Sequence, residues 1–161
     1  MFDFKSSPNE VNCPRSMSII RVPASGTLDA CILNEAPVCH AVHWCEDRTI
    51  PHTNDKSCPW CEHGNPPRIE VYIGVWITQI DRCYILTLTD YAAQPMLQHR
   101  ERFGKLRGRA ITANRPSANK NGKILVGITG THELADVAPI EPDIAAHLSM
   151  VWEINLKVVS S

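Results

Sequence analysis

The stretch RIEVYIGVWITQIDRCYILTLTD, residues 68–90, decides the fold that we predict for this chain. Its two halves, residues 68–80 and 83–90, are rich in β-branched and aromatic residues, which is typical of β-strands. Asp81 and Arg82 stand between the halves, where the chain can make a tight turn. The stretch therefore predicts a β-hairpin around which the other elements are arranged.

The residues after the hairpin predict a helix and then two more strands. Asp90 is a residue type that caps helix N-termini, and Gly104 is a residue type that ends helices. Pro95 then has to lie in the first turn, where a missing backbone N–H costs little. The strands are predicted in LRGRAITANR (106–115) and GKILVGITG (122–130), joined by a turn with an Asn-Gly pair.

The N-terminal part of the chain predicts a further strand that runs into a long polar loop. Residues 1–16 are polar and irregular, as in a flexible tail. A strand is predicted near residues 27–33, and the alternating segment PVCHAVHW, residues 37–44, continues toward the loop. The loop, residues 46–67, has little apolar material with which to order itself, and a bound metal would order it.

The C-terminal part predicts a short helix in EPDIAAHLSMVWEI, residues 141–154, followed by the strand-like INLKVV, residues 154–159. At 161 residues with 43% hydrophobic residues, the chain is long enough for one domain with an ordinary core. We expect a single domain over residues 17–161, with an insertion for metal at about residues 39–67.

The bulk sequence predicts a cytoplasmic protein that does not cross a membrane. No window approaches eighteen apolar residues, and the N-terminus has no apolar core of signal-peptide length. Seven cysteines, an odd number without a secretion signal, favour metal binding or unpaired thiols over a disulfide framework.

The segment CHAVHWCEDRTIPHTNDKSCPWC, residues 39–61, holds four of the seven cysteines and three of the seven histidines. The spacing of Cys58 and Cys61 lets both sulfurs reach one tetrahedral ion from a tight turn. His52 and His43 complete a Cys2His2 set for one zinc ion. Other donors can take the fourth position, with Cys39 and Cys45 as the first alternates and His40 and His63 after them.

A structural zinc fits the segment better than a redox or catalytic centre. Redox Cys-x-x-Cys pairs begin a helix in a βαβ unit, whereas glycine and two prolines follow Cys61 here. The H-x-E and P-C-x-x-C pattern of zinc deaminases and the H-E-x-x-H pattern are missing. If the site did act as a hydrolase or nuclease, its candidate acids would be Glu46, Asp47 and Glu62.

A net charge of −1 hides a basic block. Residues 99–123 contain eight Lys or Arg and one acid, which gives +7, while the flanking parts carry −4 each. Positive charge with aromatic rings is what single-stranded nucleic acid requires. The predicted stacking residues are Trp60, Trp76 and Tyr72, and the predicted phosphate contacts are Arg48, Arg68, Arg107, Arg109, Arg115, Lys120 and Lys123.

The order of strand, metal-bearing loop, two strands, helix and two strands resembles OB-fold single-stranded DNA-binding proteins, in a zinc-containing variant. The resemblance covers residues 27–130 in layout, although other small β-barrels and α+β folds share the order. It implies a mainly β, five-stranded OB-like barrel with the zinc loop between strands one and two, a helix between strands three and four, and a short C-terminal helix. We do not expect partners to be recruited through an acidic-tipped tail like that of the bacterial proteins, because the resemblance does not extend to one.

The resemblance implies a non-catalytic protein of replication or repair that binds single-stranded nucleic acid, mainly DNA. Other replication or repair proteins and a second copy of the chain are the partners it implies. Two other functions remain open from the sequence. One is a zinc-stabilised protein-interaction module in a larger assembly, and the other is a zinc-dependent hydrolase or nuclease.

Overall fold

The computed structural model describes residues 17–45, 48–53, 58–129 and 134–152. These ranges contain eight strands and three helices. They are β1 (Ile19–Ile20), β2 (Thr27–Ile32), β3 (Val38–Cys45), β4 (Arg48–Pro51), α1 (Pro59–Glu62), β5 (Arg68–Ile77), β6 (Arg82–Thr89), α2 (Asp90–Phe103), β7 (Ala110–Asn114), β8 (Leu125–Thr129) and α3 (Ile144–Trp152). The predicted tail at 1–16 and the strand-like segment at 154–159 lie outside the described residues.

The predicted hairpin is confirmed as β5 and β6, which pair antiparallel along most of their length. Because side chains alternate along a strand, β5 sends Val71, Ile73 and Val75 into one core cluster and Tyr72 into a second. Both faces of β5 are therefore buried. This burial explains why the sequence of the hairpin is almost continuously apolar.

One edge of β5 is shared by two strands. At its C-terminal end β5 pairs with β2, where Val75 lies opposite Ile32. At its N-terminal end it pairs with β3, where Tyr72 lies opposite Val38. From Ile32 to Val38 the chain covers six residues, whereas the partner residues on β5, Val75 and Tyr72, are only three residues apart. The three extra residues form a bulge in residues 33–37.

The side chain of Asn34, in this bulge, forms hydrogen bonds to backbone groups of two neighbouring segments. Asn34 is buried, its Oδ1 accepts from the Gly74 N–H at 2.8 Å, and its Nδ2 donates to the Pro142 carbonyl at 2.8 Å. A Cβ at position 74 would lie 2.5 Å from Asn34 Oδ1 and 2.6 Å from Pro142 Cγ. The absence of a side chain at Gly74 therefore allows three segments of the chain to meet.

The predicted helix after the hairpin is confirmed as α2, with two differences at its start. Thr89 is the N-cap, because its Oγ1 accepts from the Ala92 N–H at 3.2 Å, and Asp90 is the first helical residue. Pro95 consequently lies beyond the first turn, inside the helix. Gly104 ends the helix in the left-handed conformation, at φ 75°, as predicted. The helix packs against β6 and β8.

The strands form one mixed sheet. Its hydrogen-bonded order is β1-β6-β5-β2-β7-β8, and β3 and β4 branch from β5. β1 runs parallel to β6, whereas the other pairs are antiparallel. The mainly β class and the predicted order of the central elements are confirmed. A closed five-stranded barrel is not formed by the described pairings, which leave β1 and β8 at opposite ends of an open sheet.

The predicted C-terminal helix is confirmed as α3, and it covers the second core cluster. Ile144 and Leu148 are buried against Tyr72 and its neighbours. The ring of Trp152 lies 5.6 Å from the ring of Tyr72 and 5.3 Å from that of His40. None of the described helices is both long enough and apolar enough to cross a membrane.

We expect Gly74→Ala to destabilise the protein, because its Cβ has no room beside Asn34 and Pro142. The free energy of unfolding should fall by about 1–3 kcal/mol, as for other overpacked cores. Urea denaturation followed by circular dichroism measures the change. The matched control is Gly127→Ala in β8, where an added Cβ meets no atom within 4 Å. Equal losses in the two variants would contradict the role of the close approach.

Candidate metal centre and adjoining cleft

The hairpin of β3 and β4 places two histidines side by side. Val42 is the last residue of β3 that pairs with β5. Beyond it, β3 continues and pairs with β4 up to Cys45. His43 lies in β3, opposite Ile50 of β4. His52 follows β4, and its backbone N–H donates to the Ala41 carbonyl at 2.8 Å. The two imidazole rings are therefore adjacent, with centroids 5.1 Å apart.

The two cysteines of CPWC lie on a single helical turn. Cys58 precedes α1, and Pro59 occupies its first position, where the missing backbone N–H costs no hydrogen bond. Cys61 lies in the same turn, three residues on, so both sulfurs face one point. After the turn, Asn65 Nδ2 donates to the Trp44 carbonyl at 3.0 Å, which fastens the turn to β3.

Four donor atoms meet between these elements, one each from His43, His52, Cys58 and Cys61, all within 4.8 Å of one another. His43 Nε2 lies 3.0 Å from His52 Nδ1, 3.4 Å from Cys58 Sγ and 3.7 Å from Cys61 Sγ. Cys61 Sγ lies 3.6 Å from His52 Nδ1. The predicted Cys2His2 set is thus brought together, including the fourth donor that the sequence left open.

Four of the six separations between the donor atoms are close to the edges of a zinc tetrahedron. With Zn–N bonds of about 2.05 Å and Zn–S bonds of about 2.3 Å, a tetrahedron has N···N edges of about 3.3 Å and N···S edges of about 3.6 Å. The observed N···S separations of 3.4, 3.6 and 3.7 Å match the expected edge, and the N···N separation of 3.0 Å is slightly shorter. The donor set is compatible with one metal ion, and its two sulfurs and two imidazole nitrogens are ligands that zinc prefers.

The two thiols differ in acidity. The backbone N–H of Cys61 aims at Cys58 Sγ and, with that of Trp60, lowers the pKa of the Cys58 thiol to about 6. Burial, together with the neighbouring Cys58 sulfur, raises the pKa of Cys61 above its ordinary value. The site therefore favours one thiolate by itself, and a cation is needed to favour the second.

The alternate ligands do not join the cluster of described residues. Cys39 is exposed and Cys45 is half-buried on the same strand, but neither sulfur reaches the four donors. The ring of His40 packs on Trp152 instead, and burial lowers its pKa, which favours the neutral imidazole. His63 is the residue that ends α1. Among these candidates His43 therefore takes the fourth position.

A cleft of about 240 Å³ lies beside the metal centre, between the β3–β4 hairpin and the turn that joins β7 to β8. We name it the aromatic–basic cleft, because two aromatic rings and four exposed cationic side chains line it. They are Trp44, Tyr91, Arg21, Arg68, Lys120 and Lys123. Tyr91 is 70% exposed, and the Lys123 ammonium lies 5.2 Å from the centroid of its ring.

Glu70 forms the floor of the cleft and is the one acid among the described residues that line it. Glu70 is buried and pairs with the guanidinium of Arg21 at 3.3 Å. Arg21 also donates to Thr49 Oγ1 at 3.2 Å. The same guanidinium lies 4.3 Å from the centroid of the Trp44 ring, and that of Arg68 lies 5.6 Å from it. Positive charge is therefore held directly against an aromatic surface.

Several predicted contacts lie in or near this cleft. Arg68, Lys120 and Lys123 line it, and Arg48 lines a neighbouring cavity. Trp60 is half-buried on α1, between the two cysteine ligands, and it does not line the cleft.

Three of the predicted contacts are engaged in core packing or in hydrogen bonds to backbone carbonyls. Tyr72 is 1% exposed, and its ring belongs to the second core cluster. Arg115 is also buried and donates to the carbonyls of Val22, Lys120 and Gly122, so it holds the β7–β8 turn. Arg107 donates to the Leu33 carbonyl at 2.8 Å and to that of Ala138 at 3.2 Å. These hydrogen bonds give Arg107 and Arg115 structural roles.

The predicted pairing of Arg107 and Arg109 on one face of a strand is wrong. β7 begins at Ala110, and Gly108 between the two arginines has a φ of 86°, so the chain turns there. Arg109 is half-buried, with its guanidinium 5.8 Å from the Phe103 ring centroid. Trp76 is half-buried at the far end of the hairpin, where its Nε1 donates to Asp81 at 2.9 Å.

The sequence did not identify Arg21, Trp44 and Tyr91 as a group. Arg21 follows β1, and only the parallel pairing of β1 with β6 brings it to the cleft. Tyr91 lies in the first turn of α2, and Trp44 lies in the alternating strand β3. For Trp44, the sequence does offer one indication, because this aromatic residue directly follows the predicted metal ligand His43. No local pattern marks the other two.

We expect the protein to bind one zinc ion and to lose it when a ligand is removed. Cys58→Ser and Cys61→Ser should each lower zinc affinity by at least about 100-fold, because a hydroxyl replaces a thiolate ligand. Competition with a chromogenic chelator measures the affinity. Cys45→Ser is the matched control, on the same hairpin but outside the four donors. Zinc loss in the control, or retention in both ligand variants, would contradict the assignment.

Comparisons with protein-family models, with curated proteins and with solved structures found no match to this chain. What this protein does is therefore inferred from the geometry of its own residues.

Proposed function

We propose that this protein binds single-stranded nucleic acid, mainly DNA, in the aromatic–basic cleft. One structural zinc ion, held by His43, His52, Cys58 and Cys61, fixes the hairpin that forms one wall of the cleft. The observation that carries the proposal is the composition of the cleft. Among the described residues that line it, two aromatic rings stand among four exposed cations, and the one acid is already paired with one of these cations.

This composition suits a flexible polyanion with exposed bases. Lys and Arg neutralise phosphates, and release of counterions supplies much of the affinity. Flat rings such as Trp44 and Tyr91 accept stacked bases without regard to sequence. The Arg21 guanidinium already covers part of the Trp44 ring, so a base, a cation and a phosphate can be bound together at this point.

We also infer that the fold is OB-like. In this interpretation β2 and β3 act as one long first strand, and β5, β6, α2, β7 and β8 follow in the OB order. The packing of α2 against both β6 and β8, at the place where a barrel would close, supports the interpretation. The cleft then lies between the two loops that flank the binding face of that fold.

The zinc ion has a structural role in this proposal. Four protein donors complete a tetrahedron, whereas a catalytic zinc keeps one position open for water or substrate. Glu62 is exposed beside Cys61, and the other two candidate acids, Glu46 and Asp47, lie outside the described residues. The proposed protein binds its ligand without turning it over.

We expect binding to an oligothymidine to weaken steeply as salt rises. Arg68→Gln should weaken binding and reduce the magnitude of the salt slope by about 0.7, the value for one phosphate contact on a single strand. Fluorescence anisotropy with an oligomer of about 15 nucleotides measures both, since this length exceeds most single-domain site sizes.

Arg82→Gln is the matched control for Arg68→Gln. Both arginines are exposed and both begin a strand of the same hairpin, but Arg82 lies at the opposite end of β5. Equal effects of the two substitutions would contradict the position of the interface. No binding to any oligonucleotide at low salt would refute the proposal and favour a protein-interaction module.

We expect Tyr91→Ser to weaken oligothymidine binding by about 5- to 100-fold, through the loss of one stacked base. Phe103→Ser is the matched control, because Phe103 is a second exposed aromatic residue at the other end of α2. Its ring lies near Arg109, on the surface that the sequence indicated. A larger effect at Phe103 than at Tyr91 would move the interface to that surface.

A further inference from the structure

A second cavity, of about 230 Å³, opens beside the aromatic–basic cleft. The two share Arg21, Trp44 and Glu70, so a strand lying in the cleft passes the mouth of the cavity. Arg48 and Trp152 contribute further walls. We name it the Glu70 pocket. Its volume is below the range of pockets for drug-sized ligands, which suits a single ring system.

The carboxylate of Glu70 makes this pocket chemically selective. Glu70 Oε2 accepts from the Tyr72 hydroxyl at 2.9 Å and from Thr87 Oγ1 at 3.1 Å. Burial and the carboxylate raise the pKa of Tyr72 above its ordinary value, so the phenol keeps the proton that it donates. Glu70 Oε1 accepts only from Arg21, at 3.3 Å, among the described residues. One acceptor position on Oε1 therefore remains for a ligand.

The pocket combines this acceptor with strong donors. A carboxylate only accepts hydrogen bonds, whereas the guanidinium groups of Arg21 and Arg48 only donate them. A flat ligand that fits both has N–H groups next to carbonyl or ring-nitrogen acceptors. Guanine presents N1–H and N2–H2 together on one edge, and O6 and N7 on the neighbouring edge. Thymine offers one N–H between two carbonyl oxygens, which a carboxylate repels.

We propose that the Glu70 pocket takes one guanine base of the bound strand, turned out of the stack. The N–H edge faces Glu70, O6 and N7 face Arg21 and Arg48, and the ring lies among Trp44 and Trp152. The proposal rests on the proposed function, and it adds base selectivity to binding that is otherwise tolerant of sequence. The cost of unstacking one base is small in a single strand, which makes such capture feasible.

The test compares oligothymidine with the same oligomer carrying one central dG, dA or dC. We expect the dG oligomer to bind about 10-fold more tightly than oligothymidine, within the range of one good bidentate base contact. The dA and dC oligomers should bind within about twofold of oligothymidine, because neither base presents the O6 and N7 acceptors that the two arginines bind in guanine. A single dG in each oligomer avoids structures that guanine-rich strands form.

Two variants test whether the selectivity resides in the pocket. For each variant, the readout is the ratio of its affinity for the dG oligomer to its affinity for oligothymidine. Glu70→Gln keeps the size of the side chain but replaces the charged acceptor with an amide, and the ratio should fall to about one because the N–H of guanine loses its charged partner. Arg48→Gln changes an exposed residue, so it tests the pocket without a buried substitution. Its ratio should fall as well, and Arg82→Gln should keep the ratio of the unmodified protein.

The outcomes separate the two proposals. Binding to all oligomers without preference for dG overturns the guanine pocket and leaves the proposed function standing. Equal preference for dC, or a dG preference that survives both pocket variants, overturns the assignment of the ligand to this pocket. Failure to bind any oligomer overturns the proposed function itself. If Glu70→Gln does not fold, Arg48→Gln decides the outcome alone.

Discussion

The shared edge of β5 is the constraint on which the rest of the structure depends. Two strands pair with this edge in succession, and they fit because the bulge at residues 33–37 absorbs three residues. From the bulge, Asn34 satisfies the N–H of Gly74 in β5 and the carbonyl of Pro142 before α3, each of which would cost about 1–3 kcal/mol if buried without a partner. β2 is thereby directed to β7 and the core, while β3 leaves the sheet with β4 to build the metal centre.

The parts of the molecule that depend on neighbouring residues were predictable from the sequence. The hairpin of β5 and β6, the helix α2 and three of the four donors, His52, Cys58 and Cys61, are each encoded within a short stretch of chain. A strand pattern, a capping glycine and a Cys-x-x-Cys pair have the same meaning in most folds. The open fourth position was settled by the pairing of β3 with β4, which turns His43 toward His52. Only the fold supplies that pairing.

The cleft depends on contacts across the chain, and the sequence misassigned part of it for that reason. Tyr72 alternates correctly along β5, but α3 covers its face, so the ring is buried where a binding surface was predicted. The guanidinium groups of Arg107 and Arg115 donate hydrogen bonds to backbone carbonyls within the protein. Charge density in a sequence does not distinguish such arginines from those that face solvent. Arg21 lies far from the basic block in sequence, yet it reaches the cleft through β1.

Metal binding and the cleft share a structural element in the proposed function. Trp44 follows the ligand His43, and side chains alternate on a strand, so one residue faces the metal and the next faces the cleft. Asn65, just after α1, holds the carbonyl of the same Trp44. A zinc ion that orders α1 against β3 therefore also orders the wall on which a base stacks. If zinc strengthens the binding of a nucleic-acid strand to this ordered wall by some factor, linkage requires that the nucleic acid strengthen the binding of zinc by the same factor.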